Sequence, residues 1–168
     1  IDGHQTQQDV EIKVEKVAGN VYVLFGRGGN IGVSYGEDGL MMIDTQFENI
    51  ATNIKEELKK LGTDTSKFVF NTHWHGDHTG GNPVFGKDAM IIAHSNVRNR
   101  LLTRVGRDGK PNPAPKVALP MITYDAGLSL HFNGEEIKAV HFPKGHTDGD
   151  SAIFFTKSNV VHLGDDFF

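Results

Sequence analysis

Alternating apolar and charged positions characterise the beginning of the chain. Residues 10–17, VEIKVEKV, place apolar side chains at every second position, which is the pattern of a half-buried strand. Short β-rich runs follow at 21–25, 31–35 and 40–44. The turn sequence GEDG joins the last two runs as a hairpin turn would. The N-terminal third is therefore predicted to be a meander of strands.

A helical period replaces this alternation from residue 47 to residue 61. The sequence FENIATNIKEELKKL repeats apolar side chains every three or four positions, and Gly62 follows as a natural helix stop. A second helix is predicted from Asn96 to Val105, with Ser95 as its N-cap. Buried strands are predicted at 67–70 and 89–94.

Residues 106–120 interrupt the regular patterns, because they hold four of the six prolines. They are predicted to form a loop, either a solvated linker or a functional lid. Further on, Asn133 and Gly134 predict a tight hairpin turn, and the last two strands are predicted at 151–156 and 159–163. Strands, helix, strand, helix and strands again predict an α/β fold, built as an α+β layered sandwich.

The composition fits one soluble domain over residues 1–168, with 38% hydrophobic and 23% charged residues. A net charge of −4 and the lack of a Lys or Arg run argue against a nucleic-acid partner. No apolar run approaches the roughly 18 to 20 residues of a membrane span. The absence of Cys excludes thiolate ligands and suits an oxidising compartment. Because the chain begins at Ile1, as after signal removal or trimming, a periplasmic or secreted location is favoured, with the cytoplasm as the alternative.

Three histidines and one aspartate crowd positions 73 to 78 of the sequence NTHWHGDHTGGN. In an extended segment His73 and His75 point to one side and Trp74 to the other, so the two imidazoles can share a metal. The turn that begins after them lets Asp77 and His78 face a second metal. The run follows a buried strand, and α/β folds gather their sites at the carboxyl ends of strands.

Imidazole nitrogen and carboxylate oxygen together indicate zinc, and they leave copper and iron open. Calcium and magnesium would require mostly oxygen ligands. Histidines in a polar surface loop are the alternative interpretation. Three of them beside an aspartate at this spacing argue for a metal site instead.

The HWHGDH run is similar to the H-x-H-x-D-H signature of the metallo-β-lactamase-fold superfamily of hydrolases. GNIGVSYGEDGLMMIDT resembles the early strands of that family, GHTDGD resembles its next histidine motif, and LGDDFF resembles its GD motif. The resemblance implies an αβ/βα sandwich, with a first zinc held by His73, His75 and His146. It implies a second zinc held by Asp77 and His78, with Asp165 between the two.

The other acidic and histidine residues are expected to support the site or to lie apart from it. Asp165 is preferred to Asp166, because it directly follows Gly164 as in the family motif. Asp44 is expected to support the ligand loop rather than to bind metal. Trp74 is expected in the core. The remaining histidines match no motif and are expected to be structural or at the surface: His4, His94, His131, His141 and His162.

The sequence departs from the family pattern in three respects. No counterpart of the family's last ligand histidine follows the GD motif, so the chain is expected to be truncated and its second metal site incomplete. The second half of the sandwich is also missing, which leads us to expect self-association, a complementing C-terminal fragment, or a remainder that is disordered or cut away. Two zinc ions are expected in the full-length protein, with a single ion in this chain as the alternative. The missing Cys ligand makes the chain more similar to glyoxalase II, lactonase and phosphodiesterase branches than to true β-lactamases.

These features predict a zinc-dependent hydrolase of a small molecule with an ester, thioester, lactone or β-lactam bond. Zinc would supply hydroxide at neutral pH, and Asp77 is the candidate catalytic residue that orients it and passes a proton to the leaving group. Two alternatives remain. One is an iron-dependent oxidoreductase on the same fold, and the other is an inactive fragment with a broken second metal site.

Overall fold

Two β-sheets and four α-helices make up the computed structural model, which describes residues 10–167. The strands are β1 Lys13–Ala18, β2 Val21–Phe25, β3 Ile31–Gly36, β4 Gly39–Ile43, β5 Ser66–Phe70, β6 Met90–His94, β7 Ile122–Tyr124, β8 Gly127–Phe132, β9 Glu135–His141, β10 Ser151–Phe155 and β11 Val160–His162. The helices are α1 Ala51–Leu61, α2 Gly76–Thr79, α3 Asn82–Phe85 and α4 Ser95–Thr103, and 3₁₀ turns span Glu48–Ile50 and Lys116–Ala118. His4 lies outside the described residues.

The first sheet has seven strands in the order β1 to β7. Short turns join β1 to β4, which are antiparallel, whereas β4 to β7 are parallel. Parallel neighbours require crossover segments, and the helices α1 to α4 lie in those segments. The second sheet has the antiparallel order β11-β10-β9-β8. Its β8–β9 turn places Asn133 at φ 52° and Gly134 at φ 78°, which confirms the predicted hairpin.

Strand β4 separates two hydrophobic cores, because its successive side chains point to opposite faces of the sheet. Met42 packs toward α1 in a core that includes Ile54 and Leu58. Met41 and Ile43 pack between the two sheets, in a core that includes Phe70, Ile92, Ile137, Ile153 and Phe155. A strand buried on both faces is a continuous apolar run, which explains the sequence LMMI. The layered α/β fold is thus confirmed, and the described residues supply three layers of the αβ/βα sandwich: helices, sheet and sheet.

The predicted helices are present with corrected bounds, and the second one ends at Thr103 rather than at Val105. Helix α1 starts at Ala51, because residues 48–50 form a 3₁₀ turn ahead of it. The N-cap of α4 is His94 rather than Ser95, since the extended backbone of His94 lets its side chain accept a hydrogen bond from the backbone N–H of Asn96. Helices α2 and α3 and strand β7 are additions to the predicted elements.

The loop predicted at 106–120 contains one 3₁₀ turn and an isolated bridge between Val105 and Pro111. Within residues 10–167, every helix is too short or too polar to cross a membrane.

Candidate metal centre

The candidate site lies where segments from both sheets converge. Asp44 directly follows β4, and Asn71 to His73 directly follow the neighbouring parallel strand β5. His146 lies in the segment after β9, and Asp165 follows β11. Carboxyl ends of parallel strands meet at one edge of a sheet, so residues far apart in sequence come together there.

Three imidazoles form the first cluster. The Nδ1 of His75 lies 3.2 Å from the Nε2 of His73 and 3.0 Å from the Nε2 of His146. These three nitrogens and a carboxylate oxygen of Asp165 all lie within 4.8 Å of one another. Burial, with the charge on His78, lowers the pKa of His73 to about 4. Burial, with the charge on His146, also lowers the pKa of His75. His73 and His75 are therefore neutral at pH 7, as metal ligation requires.

The second cluster comprises Asp77, His78 and Asp165, whose ligand atoms lie within 4.8 Å of one another. The Nε2 of His78 is 3.0 Å from Asp165 Oδ1 and 3.5 Å from Asp77 Oδ2. Asp165 Oδ2 lies 3.8 Å from His73 Nε2 and 3.7 Å from His146 Nε2. The carboxylate of Asp165 therefore stands between the two clusters, with one oxygen toward each.

The donor set fits a cation. His78 Nε2 is buried without a hydrogen-bond partner, although two carboxylates lie near it. A buried polar atom in this state is rare in folded proteins unless water or an ion satisfies it. Burial opposes a charged His78, but Asp44, Asp165 and Asp77 outweigh it and raise its pKa to about 9. The surrounding carboxylates thus favour a positive charge at this ring.

Asp44 determines which ring nitrogens face the clusters. Its fully buried carboxylate accepts hydrogen bonds from the backbone N–H of Thr72 at 2.8 Å, from Thr72 Oγ1 at 2.7 Å and from His78 Nδ1 at 2.7 Å. Since the Thr72 hydroxyl donates to Asp44, it accepts from His73 Nδ1, 3.0 Å away. The hydrogen-bond network thus assigns a proton to Nδ1 of both His73 and His78, which directs both Nε2 atoms to the site.

The electrostatics of Asp44 agree with this arrangement. Burial opposes its charge, but the charge and hydrogen bond of His78 and the hydrogen bond from Thr72 hold the pKa of Asp44 below its usual value. Asp44 also has a left-handed backbone, with φ 64°. Such a conformation is costly for a non-glycine residue and is concentrated at functional sites.

The loop of residues 26–30 packs against the second cluster. A Cβ atom added to Gly29 would lie 2.2 Å from Cε1 of His78, and one added to Gly28 would lie 2.8 Å from Cβ of Asp77. Gln46 anchors the loop, since its Nε2 donates to the Gly29 carbonyl at 2.6 Å. The loop can approach this closely because Gly28 and Gly29 have no side chains. The sequence offers no other sign of the contact than the glycine-rich run GRGGN.

The structure places every predicted ligand in one of the two clusters: His73, His75, Asp77, His78, His146 and Asp165. Asp166 has another position, because its Oδ1 accepts from the backbone N–H of His146 at 3.0 Å. Trp74 is partly buried and packs against a core cluster around Val97, and its ring also contacts the ring of His75.

The remaining histidines take structural or surface positions. His94 stacks on His141, with ring centroids 3.7 Å apart. His162 lies within 3.0 Å of the Asn30 carbonyl through its Nε2. His131 lies at an exposed position of β8.

Three residues of the site's surroundings were missed from the sequence, namely Thr72, Asp148 and Asp150. Asp148 and Asp150 belong to the GHTDGD motif, in which only His146 had been singled out. Asp150 accepts from the backbone N–H and the hydroxyl of Thr147, the residue after His146. The one sign of them in the sequence is that the motif of His146 carries two aspartates within four residues of that histidine.

Comparison with known proteins gives the chain a family. A family profile described as Metallo-beta-lactamase superfamily matches residues 18–168. A hydroxyacylglutathione hydrolase from Synechococcus sp. (strain JA-2-3B'a(2-13)) is 30% identical over 122 residues, which cover 71% of this chain and 41% of that protein. The atrochrysone carboxyl ACP thioesterase of Aspergillus terreus is 29% identical over 101 residues, which cover 60% of this chain and 26% of that protein. The chain therefore spans less than half the length of these curated relatives.

Solved structures share the fold. The metallo-beta-lactamase GOB-18 from Elizabethkingia meningoseptica has a TM-score of 0.74 at 21% identity, over 92% of this chain and 60% of that chain. BJP-1, a subclass B3 metallo-beta-lactamase of Bradyrhizobium japonicum, has a TM-score of 0.72 at 22% identity, over 86% of this chain and 57% of that chain. At this identity the likeness establishes a common architecture.

Proposed function

The chain belongs to the metallo-beta-lactamase superfamily, and we propose on that premise that it is a zinc-dependent hydrolase of an ester-like or amide-like bond in a small molecule. One observation carries the proposal. Two groups of nitrogen and oxygen donors meet at a single shared carboxylate, Asp165. A shared carboxylate with separate histidines on each side is suited to a pair of metal ions.

Zinc fits the donors, since it prefers imidazole nitrogen and carboxylate oxygen in sets of about four. His73, His75 and His146 would hold one ion, and Asp77 and His78 a second, with Asp165 between them. Bound zinc lowers the pKa of a coordinated water toward about 7 and so supplies a nucleophile at neutral pH.

Asp77 is the residue of the second cluster best suited to move a proton. Its side chain is 36% exposed, compared with 1% for His78 and 19% for Asp165. One oxygen lies toward the cluster, 3.5 Å from His78 Nε2, which leaves the carboxylate in contact with both the site and the solvent. In that position Asp77 would orient the nucleophile and carry its proton to the leaving group.

A thioester is our preferred substrate class. Relatives of the chain include a hydroxyacylglutathione hydrolase and an atrochrysone carboxyl ACP thioesterase, whose names describe bonds of acyl groups to carriers. Lactones, other esters and β-lactams remain the competing classes, because structures with the same fold include β-lactamases.

Metal analysis and a substrate panel test the proposal. The purified protein should contain zinc, and it should hydrolyse S-lactoylglutathione faster than homoserine lactone, nitrocefin or bis-p-nitrophenyl phosphate. Iron in place of zinc would favour an oxidoreductase. Zinc without any hydrolysis would favour an inactive fragment.

Two variants test the assigned roles. Asp77→Ala should lower kcat/KM on the order of 10²-fold or more, the size expected for loss of a positioned acid–base group, and His73→Ala should remove nearly all activity. His131→Ala is the matched control, since His131 is an exposed histidine on β8. Near-normal turnover by Asp77→Ala or His73→Ala would refute the assignment.

A further inference from the structure

We propose that Asp148 is a positioning residue that fixes the two loops of the first metal cluster relative to each other. The inference rests on the proposed function, because it concerns the affinity of that cluster for zinc. Asp148 lies two residues after His146, on the loop that brings this histidine to His73 and His75.

The carboxylate of Asp148 joins that loop to two other elements. Its Oδ1 accepts from the indole Nε1 of Trp74 at 3.2 Å. Its Oδ2 accepts from Arg100 of helix α4, at 3.1 Å from Nε and 2.7 Å from Nη2. The backbone carbonyl of Asp148 accepts from the side-chain amide of Asn96 at 2.7 Å. Asp148 is therefore bound to the loop of His73 and His75 through Trp74, and to α4 through Asn96 and Arg100.

Trp74 transmits this constraint to the ligands. It stands between His73 and His75 in the chain, and its ring centroid lies 4.4 Å from that of His75 in an edge contact. The guanidinium of Arg100 lies 5.8 Å from the Trp74 ring, within the range of a cation–π contact. Fixing the indole fixes the backbone on both sides of it, and with it the direction of both imidazoles.

The geometry of the first cluster gives this constraint its importance. His75 Nδ1 lies 3.0 Å from His146 Nε2 although the two residues belong to different loops. The first cluster therefore depends on how these two loops are placed relative to each other. Asp148 is two residues from His146 in the chain, and its carboxylate is hydrogen-bonded to Trp74. It therefore links the loop of His146 to the loop of His73 and His75 directly beside the ligands. Its pairing with Arg100 is about half exposed, and exposed ion pairs add little to stability. A role in ligand geometry is thus separable from a role in folding.

The test compares zinc affinity in Asp148→Ala, Asp148→Asn and wild type, by competition with a chromophoric chelator. Residues that orient metal ligands typically change metal affinity about 10- to 100-fold, and we expect a loss of that size for Asp148→Ala. Asp148→Asn retains an oxygen for the Trp74 indole, so its loss should be smaller. Asp108→Ala is the matched control, because Asp108 faces Lys110 at an exposed site, and its affinity should equal that of wild type.

Tryptophan emission gives a second readout, since Trp74 is the only tryptophan of the chain. Asp148→Ala should change the emission of the metal-free protein, because the indole loses its acceptor, while Asp108→Ala should not. The melting temperature of metal-free Asp148→Ala should remain close to that of Asp108→Ala. If Asp148→Ala does not fold, Asp148→Asn and Arg100→Ala serve as the test variants under the same criteria.

The outcomes separate this inference from the function on which it rests. Zinc affinity of the Asp148 variants equal to that of wild type would overturn the positioning role and leave the zinc hydrolase intact. A wild-type protein that binds no zinc would overturn both. Weaker zinc binding by Asp148→Ala at an unchanged melting temperature, with partial rescue in Asp148→Asn, supports the role.

Discussion

The substitution Asp44→Asn separates the shape of the buried carboxylate from its acceptor capacity. Three donors converge on Asp44: the backbone N–H and hydroxyl of Thr72 and the Nδ1–H of His78. An asparagine fits the same space and tolerates the left-handed backbone, but one of its two terminal atoms is a donor. If the NH₂ group faces the backbone N–H of Thr72, two donors oppose each other.

The other orientation of the introduced amide has a consequence for the metal. With NH₂ facing His78, the imidazole can pair only by accepting at Nδ1, which moves its proton to Nε2. That nitrogen is the one that faces Asp77 and Asp165. Zinc would then have to displace a proton from a ring held in the wrong tautomer.

The magnitudes follow from these contacts. A buried donor without a partner costs about 1 to 3 kcal/mol. The rise in the pKa of His78 from 6.5 to about 9 corresponds to on the order of 3 kcal/mol of favourable interaction of the charged ring. The charge of Asp44 makes the largest contribution to that attraction. Metal-free Asp44→Asn should therefore be less stable than wild type by roughly 2 to 4 kcal/mol at pH 7.

Urea unfolding with a chelator measures the stability, and zinc titration measures the affinity. We expect the second zinc to bind on the order of 10- to 100-fold more weakly. The first zinc should bind more weakly too, because the NH₂ group that faces His78 also faces the Thr72 hydroxyl, which then loses the acceptor that orients it toward His73 Nδ1. Asp88→Asn is the control, because the Asp88 carboxylate is about half exposed and makes a long contact of 3.8 Å with Lys55. Binding of two zinc ions to Asp44→Asn with wild-type affinities would refute the tautomer argument.

Two further predictions concern pH and the glycine loop. The raised pKa of His78 stabilises the metal-free protein fully below pH 6.5, and this contribution is lost as the pH rises toward about 9. The lowered pKa of His73 has the opposite effect, because it costs stability as the pH falls from 6.5 toward about 4. Urea unfolding with a chelator should thus show maximal stability near pH 6.5, and stability that rises from pH 7 to 9 would contradict the assignment. Gly29→Ala should weaken zinc binding at the second cluster, because its Cβ would enter the His78 ring, whereas Gly76→Ala should not, since nothing lies within 4 Å of its Cβ. Equal zinc titrations for the two variants would show that loop 26–30 does not pack on His78 in solution.

Local patterns predicted much of the fold and the central ligands. Period-two alternation predicts the first strand, short β-rich or apolar runs predict the later ones, and the Asn133–Gly134 turn is specific enough to predict the β8–β9 hairpin. His73 and His75 share one cluster, as predicted, although residues 72–74 form bends rather than the extended segment on which that prediction rested. These features depend on neighbours along the chain, which the sequence displays directly.

Contacts between distant segments were beyond such reasoning. Asp44 lies 28 residues before Thr72, and Trp74 lies 74 residues before Asp148. Pairs this far apart in the chain produce no recognisable pattern in the sequence. The N-cap of α4 failed for another reason. Ser95 has the usual capping chemistry, but the chain is still extended at His94, and the imidazole of His94 accepts from the backbone N–H of Asn96 in the first turn of the helix.

The protonation states of the two clusters suggest an order for metal binding. His73 and His75 have lowered pKa values because they are buried beside other imidazoles, so at pH 7 they need to release no proton to bind a cation. His78 instead holds a proton, with a pKa of about 9, and must release it. A cation in the first cluster would repel that proton across the shared Asp165, which lies 3.8 Å from His73 and 3.0 Å from His78. Filling of the first cluster should therefore lower the pKa of His78 and prepare the second cluster for its own ion.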